Sequence, residues 1–201
     1  MTRRHESHSS GSARLLTAAA LLLLAPMATL AAGQPPDLAI QEANGVYTVV
    51  ARFLVDRPPA AAWAVLTDYE RIPRFMPDVR TSIVRERAPG RAVVEQEAVS
   101  SVMVFSKRVH LVLDIDEQPD ALVFTDECGS SFVRYEGAWR LSDQGGRTAI
   151  TYELTAQPSF DVPSFLLKRL LRRDSSQMIE RLRREIDSRA VPTGTIPSAS
   201  R

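Results

Sequence analysis

Between an apolar run ending near Asp56 and another starting near Val79 lies Pro58-Pro-Ala-Ala-Ala-Trp-Ala-Val-Leu-Thr-Asp-Tyr-Glu-Arg-Ile-Pro-Arg-Phe-Met-Pro-Asp78, the stretch that most limits what this chain can become. A double proline suits the start of a helix, because the first turn has no use for its missing N–H and its fixed φ is already helical. Trp63, Leu66, Tyr69, Ile72, Phe75 and Met76 then recur at three- and four-residue intervals, which marks one apolar helical face. Pro73 and Pro77 interrupt that face, so the spacing predicts two short helices with an abrupt exit. Any fold for this sequence must place a broken helix inside a chain that otherwise reads as strand and turn until near its end.

The strand readings come from turn chemistry and alternation. Asn44-Gly45 separates Leu38–Ile40 from Val46–Val55 and reads as a hairpin turn, since both residues accept positive φ. Further strands are expected over 79–87, 91–103, 106–116, 121–128, 132–141 and 147–157, divided by turn-rich clusters such as Ala88–Gly90, Glu117–Asp120 and Asp143–Gly146. Connections this short make consecutive strands antiparallel neighbours. Val109, Leu111, Leu113 and Ile115 share one parity against Arg108, His110 and Asp114. Tyr135, Gly137, Trp139 and Leu141 oppose Arg134, Glu136 and Arg140, while Ile150, Tyr152 and Leu154 oppose Thr151, Glu153 and Thr155. One face of the sheet is therefore solvated and the other covered. The cover is a helix from Val162 to about Ser188, with Leu166, Leu167, Leu170, Leu171, Met178, Ile179, Leu182 and Ile186 as its apolar stripe. Asp161 is placed to cap that helix and Pro163 to sit in its first turn.

Strand, two short helices, a run of antiparallel strands and a long C-terminal helix is the order of an α+β helix-grip fold, a curved antiparallel sheet wrapped around the last helix. The spelling Trp-x-x-Leu-x-Asp-Tyr-x-x-x-Pro-x-Phe-x-Pro from Trp63 to Pro77 resembles the polyketide cyclase/dehydrase and coenzyme Q-binding START-like proteins, the SRPBCC superfamily, over roughly residues 45 to 189. That resemblance implies a cavity between sheet and helix. Its candidate ligand-binding residues are Trp63, Phe75 and Met76 from the short helices, Tyr135, Trp139 and Tyr152 from the strands, and Phe165, Leu166 and Leu170 from the last helix. It also implies a hydrophobic ligand, a quinone, a lipid or a polyketide-like molecule, held by a non-catalytic carrier or chaperone. Two alternatives stay open. One is a cyclase/dehydrase-like enzyme using the same cavity, with Tyr135, Tyr152 or Arg52 assisting proton transfer. The other is an envelope interaction protein with a solid core.

The ends bear on where the protein works. Arg3, Arg4 and Arg14 precede an apolar run from Leu15 to Leu30, and Thr29 and Ala31 occupy small-residue positions, the layout of an export signal cleaved near Ala31. A retained membrane anchor is the rival reading, disfavoured by the short, alanine-rich run and its Pro26. Export implies a periplasmic or otherwise extracytoplasmic protein, with residues 32–44 as linker and first hairpin arm. The whole chain has 25 basic and 24 acidic residues. Residues 1–31 hold three arginines and one glutamate, so the remainder has 22 and 23, and nothing in the overall charge points to nucleic acid. Lys168, Arg169, Arg172 and Arg173 make a basic cluster on the last helix. It is suited to transient contact with an anionic membrane surface, or to ordinary i,i+4 pairing such as Glu180 with Arg184 and Arg181 with Glu185.

Motifs of catalysis are sparse. His110, the only histidine beyond residue 31, falls on the polar parity of its strand, and Asp114, Asp116, Glu117 and Asp120 read as solvated acids rather than a cation site. Cys128 stands alone, with no histidine near it in sequence, and is read as a small packed side chain. There is no Gly-rich phosphate loop, no Gly-x-Ser-x-Gly and no Cys/His metal spacing, and no cofactor or metal is expected. Residues 190–201, rich in Ser, Thr and Pro, read as a disordered tail.

Overall fold

A computed structural model describes residues 36–102 and 105–189, so the export segment and the C-terminal tail read above lie outside the described residues. The chain begins with β1 (Asp37–Ala43) and β2 (Val46–Val55), joined at Asn44 and Gly45 with φ of 53° and 79°, the positive values that a two-residue hairpin turn requires. The broken helix follows as α1 (Pro59–Leu66), a 3-10 turn (Tyr69–Arg71) and α2 (Ile72–Phe75). Prolines open both α-helices, and the Thr67 hydroxyl ends α1 by donating to the Trp63 carbonyl at 2.9 Å. Then come β3 (Val79–Ala88), β4 (Arg91–Val102), β5 (Phe105–Glu117), β6 (Ala121–Asp126), β7 (Phe132–Asp143), β8 (Thr148–Pro158) and α3 (Ser164–Ser188).

Among the described residues the eight strands make one antiparallel sheet in the order β1-β2-β8-β7-β6-β5-β4-β3. The last strand returns to pair with β2. The connection from β2 to β3 must therefore cross the sheet, about 29 Å if it were flat, at roughly 4.8 Å per strand. Curvature shortens that path. α3 packs against β1, β2 and also β4, five strands away from β2, which a flat sheet could not offer to one helix. The α1–α2 segment bridges the open side and sinks Ala62, Val65, Leu66 and Tyr69 into the core. Helix α3 contributes Ile179, Leu182 and Ile186 to that core, while Leu167 and Leu170 pack beside Tyr47 of β2. The architecture is the helix-grip fold expected from the sequence.

Polar contacts fix the crossing segment and the helix in place. The Tyr69 hydroxyl donates to Glu117 Oε1 at 2.8 Å and Arg87 pairs with the same carboxylate at 3.0 Å. Arg189 pairs with Asp68 at 2.8 Å and donates to the Ala64 carbonyl at 3.2 Å. Two sequence expectations are corrected here. Asp161 does not cap α3, because extended Pro163 occupies the N-cap and leaves the aspartate outside the first turn. Arg181 does not pair with Glu185 but reaches across to Asp78, and Glu185 pairs with Arg189 instead, at 2.8 Å. Among the described residues no helix is long and apolar enough to cross a membrane.

Candidate functional site

Between the concave face of the sheet, α3 and the α1–α2 segment lies a cavity of ≈ 350 Å³. Strand alternation builds its wall, since every second residue turns inward: Leu111, Leu113 and Ile115 from β5, Leu122 and Phe124 from β6, Tyr135 and Trp139 from β7, Tyr152 and Leu154 from β8. α3 roofs it with Leu167, Leu170, Leu171 and Met178. Between those large residues the helix turns Asp174 and Ser175 toward the cavity. Large apolar side chains are missing from the middle of the roof, and space remains beneath it.

Polar groups fall into two sets. Along the edges, the Lys107 ammonium lies 4.3 Å from the centre of the Phe160 ring, Arg181 pairs with half-exposed Asp78, and Gln96 donates to the Ser82 hydroxyl at 3.1 Å. Lys107, Phe132 and Phe160 mark the end where β5 and β7 begin, whereas Ile115, Leu122 and Tyr69 mark the opposite end. Part-way between, Tyr135 and Tyr152 line the cavity inside an aromatic wall. Ring centroids are 4.8 Å apart for Phe132 and Tyr135, 6.0 Å for Phe124 and Tyr135, and 4.3 Å for Trp139 and Tyr152. Burial dominates the acidity of these phenols. It pushes Tyr135 up to about 12 and Tyr152 well above the ordinary phenol value, so both stay neutral at physiological pH.

Of the residues chosen from sequence, the structure brings six to the cavity: Phe75, Met76, Tyr135, Trp139, Tyr152 and Leu170. Three lie elsewhere. Trp63 packs on the flank of the core, because α1 buries Ala62, Val65 and Leu66 instead. Phe165 is 75% exposed, since it lies two residues before buried Leu167, about 200° round the helix. Leu166 packs toward Tyr47 on the β2 side. Arg52 lies outside as well, its side chain 55% exposed and 3.9 Å from Asp37. Sequence reasoning missed Gln96, Lys107, Phe160, Asp174 and Ser175. Gln96 carried a signal, because it holds the inward parity of Ala92, Val94 and Ala98.

The outer face of the sheet gathers the remaining chemistry-bearing side chains. His110 Nε2 lies 3.0 Å from Glu95 Oε1, and hydrogen bonds from His110 and then Arg85 lower the pKa of Glu95. Cys128, expected to have no histidine near it, has Sγ 3.9 Å from His110 Nδ1 through the pairing of β5 with β6. Its thiol donates to Asp126 Oδ1 at 3.2 Å, and the same carboxylate accepts the backbone N–H groups of Val112 and Gly129 at 2.9 and 3.1 Å. These contacts organise a turn. Asp114 is paired with Arg91 at 2.7 Å, and among the described residues no group of three or more His, Cys, Asp or Glu side chains is placed to hold a metal.

A family model described as polyketide cyclase / dehydrase and lipid transport matches residues 55–183. No curated protein matches the chain in sequence. Solved structures that resemble it include the Zhui aromatase/cyclase from Streptomyces sp. R1128, at 16% identity and a TM-score of 0.62, covering 74% of this chain and 98% of that one. The STAR-related lipid transfer protein from Xanthomonas axonopodis is similar at 16% identity and a TM-score of 0.59, covering 77% and 99%. Human STARD10 matches at 12% identity and a TM-score of 0.59, covering 76% and 73%. At these identities the likeness is one of fold.

Proposed function

The chain belongs to the polyketide cyclase / dehydrase and lipid transport family, and from that premise we propose that it is a non-catalytic, exported carrier or chaperone for one hydrophobic molecule held in the cavity. Family and fold together go with hydrophobic-ligand binding or cyclase-like chemistry. The observation that carries the carrier reading is the cavity wall, predominantly apolar, with its charged side chains at the edges and at Asp174 on the α3 roof and with two neutral tyrosine hydroxyls inside. Its volume limits the ligand. At ≈ 350 Å³ the cavity stands at the small end of the roughly 300–1,000 Å³ of small-molecule sites, a size that suits a ring system or a single acyl chain. A quinone head or a single lipid chain suits that space. The existence of the cavity also removes the basis for a protein with a solid core.

Loading from a membrane is part of the proposal, through Lys168, Arg169, Arg172 and Arg173 together with exposed Phe165 on the same helix. Two of those cations also serve the fold: Lys168 pairs with Glu42 at 3.4 Å, and Arg172 donates to the Leu38 carbonyl at 3.5 Å. A cyclase/dehydrase-like enzyme is the second reading, favoured by the tyrosine pair inside the cavity. Proton transfer works best with a group whose pKa lies near the working pH, and a phenol held at about 12 is a weak acid catalyst. Native mass spectrometry of protein purified from its own cell envelope tests the carrier reading. One apolar molecule per chain is expected, released by organic extraction. Repeated absence of any such adduct, with the protein recovered only from cytosol, would overturn it.

A further inference from the structure

Along β5 the inward row of Val109, Leu111, Leu113 and Ile115 is preceded by one residue of another kind. Lys107 has the same parity, so the strand turns its side chain to the cavity that those four line. Arg108, of the opposite parity, is exposed, and a cation placed there keeps its water. Lys107 is half-buried instead, with its ammonium 4.3 Å from the centre of the Phe160 ring. A ring face attracts a cation without taking up its N–H groups as an oxygen does, so the ammonium still has donors to offer. Among the described residues four charged side chains line the cavity, Asp78, Lys107, Asp174 and Arg181. Asp78 and Arg181 pair with each other, and Asp174 is engaged as well. Lys107 meets a ring and, among the described residues, no carboxylate.

We propose that the ligand is an amphipathic monoanion, a ring or single acyl chain that ends in a carboxylate, held with the carboxylate at Lys107 and the apolar body along Val109, Leu111 and Leu113. This rests on the ligand-carrier reading above and narrows it to acidic ligands. Orientation follows from what each end offers. At the Lys107 end the flanking Ser106 and Arg108 are exposed, so a carboxylate there keeps part of its hydration while it gains charged N–H donors. At the opposite end it would meet Ile115 and Leu122, which return nothing for the water it loses. The other lining cation, Arg181, already has Asp78 as its counter-ion, so a second anion beside it would face a carboxylate of like charge. A quinone has no group for Lys107, and a free acyl chain has one at the right end.

Three probes with a common ring separate apolar burial from charge: naphthalene, 2-naphthylacetamide and 2-naphthylacetate. Each is titrated against the full chain at neutral pH and low salt by displacement of the uncharged dye N-phenyl-1-naphthylamine. The acid is expected to bind about fivefold more tightly than the near-isosteric amide, the upper range for an ion pair that water still reaches, and to lose most of that advantage at about 0.5 M salt. Lys107→Gln should level acid and amide, Lys107→Glu reverse their order, and Lys107→Arg keep it. The ratio is read within each protein, so a variant that binds every probe more weakly still reports it. An amide that binds as tightly as the acid overturns the proposal in the wild-type protein alone, so the result does not depend on any variant folding. An acid preference that survives Lys107→Gln overturns it equally. If naphthalene binds and the acid has no advantage, only the Lys107 assignment is wrong; if neither the dye nor any of the three binds, the carrier reading falls with it.

Discussion

Replacing Ser175 by leucine should close part of the cavity and stabilise the fold in one step. Ser175 is 6% exposed and stands on α3 between Leu171 and Met178, where the helix roofs the cavity. Leucine puts three carbons where one hydroxyl stood. At about 0.8 kcal/mol per buried methylene that transfer contributes roughly 2 kcal/mol, with a few tenths more from helix propensity. Against it stands overpacking, about 1–3 kcal/mol in a site that is already filled, so the sign of the change reports whether space exists beside this residue. The net two extra heavy atoms would also take up part of the ≈ 350 Å³ beneath the helix. Urea unfolding and titration with naphthalene read both effects together. With a slope of about 1–3 kcal/mol per molar urea, the midpoint should rise by roughly 0.7–2 M while probe affinity falls several-fold. A midpoint that drops by about 1 M with affinity unchanged would refute the reasoning, since it would place Ser175 against filled core.

Three further outcomes follow from particular contacts. Gly137→Ala should cost about 2–4 kcal/mol, combining overpacking with ladder bonds broken when a carbonyl is displaced: its Cβ would meet the Glu153 carbonyl oxygen at 2.1 Å and Phe124 Cζ at 2.7 Å. Adding Phe124→Leu should not rescue the loss, because the backbone oxygen is the contact that cannot yield; a full recovery in urea midpoint would show the ring to be the obstacle. Alkaline titration followed by tyrosinate absorbance should show well under half ionisation at pH 10, since Tyr47, Tyr69, Tyr135 and Tyr152, all four tyrosines of the chain, are raised from 10.0, each first by burial. Folded-state values above the unfolded value stabilise the fold fully below pH 10 and lose that contribution as pH rises through about 12, so absorbance should appear together with unfolding; half-ionisation at pH 10 in folded protein would contradict it. Arg181→Gln removes the tie from α3 to Asp78 beside the cavity, and should lower stability by no more than about 1 kcal/mol while speeding release of a bound probe in stopped-flow. An unchanged release rate would show that the tie does not restrain that edge.

What the sequence disclosed and what it withheld divide along the range of the interactions involved. Turns such as Asn44-Gly45, proline breaks at Pro73, and the parity of Leu111, Leu113 and Ile115 act within a few residues, and each predicted its element. Pairings between distant residues were hidden. Arg181 had Glu185 one turn away and chose Asp78, 103 residues earlier, while Cys128 meets His110 only because β5 and β6 are in register. Phe165 failed for a third reason: three adjacent large residues, Phe165, Leu166 and Leu167, leave the helical phase ambiguous, and only docking on Tyr47 decides which of them turns inward. The cavity itself was closer to legible than its lining residues. The apolar stripe of α3 runs through Leu167, Leu170 and Leu171, resumes at Met178 and Ile179, and by the helical period should have continued at 174 and 175. Aspartate and serine stand there instead. A helix meant only to plug a sheet has no reason to omit one turn of its buried face, so that omission is the local, readable cause of a non-local feature: the sheet closes around a helix that falls short of it over that one turn.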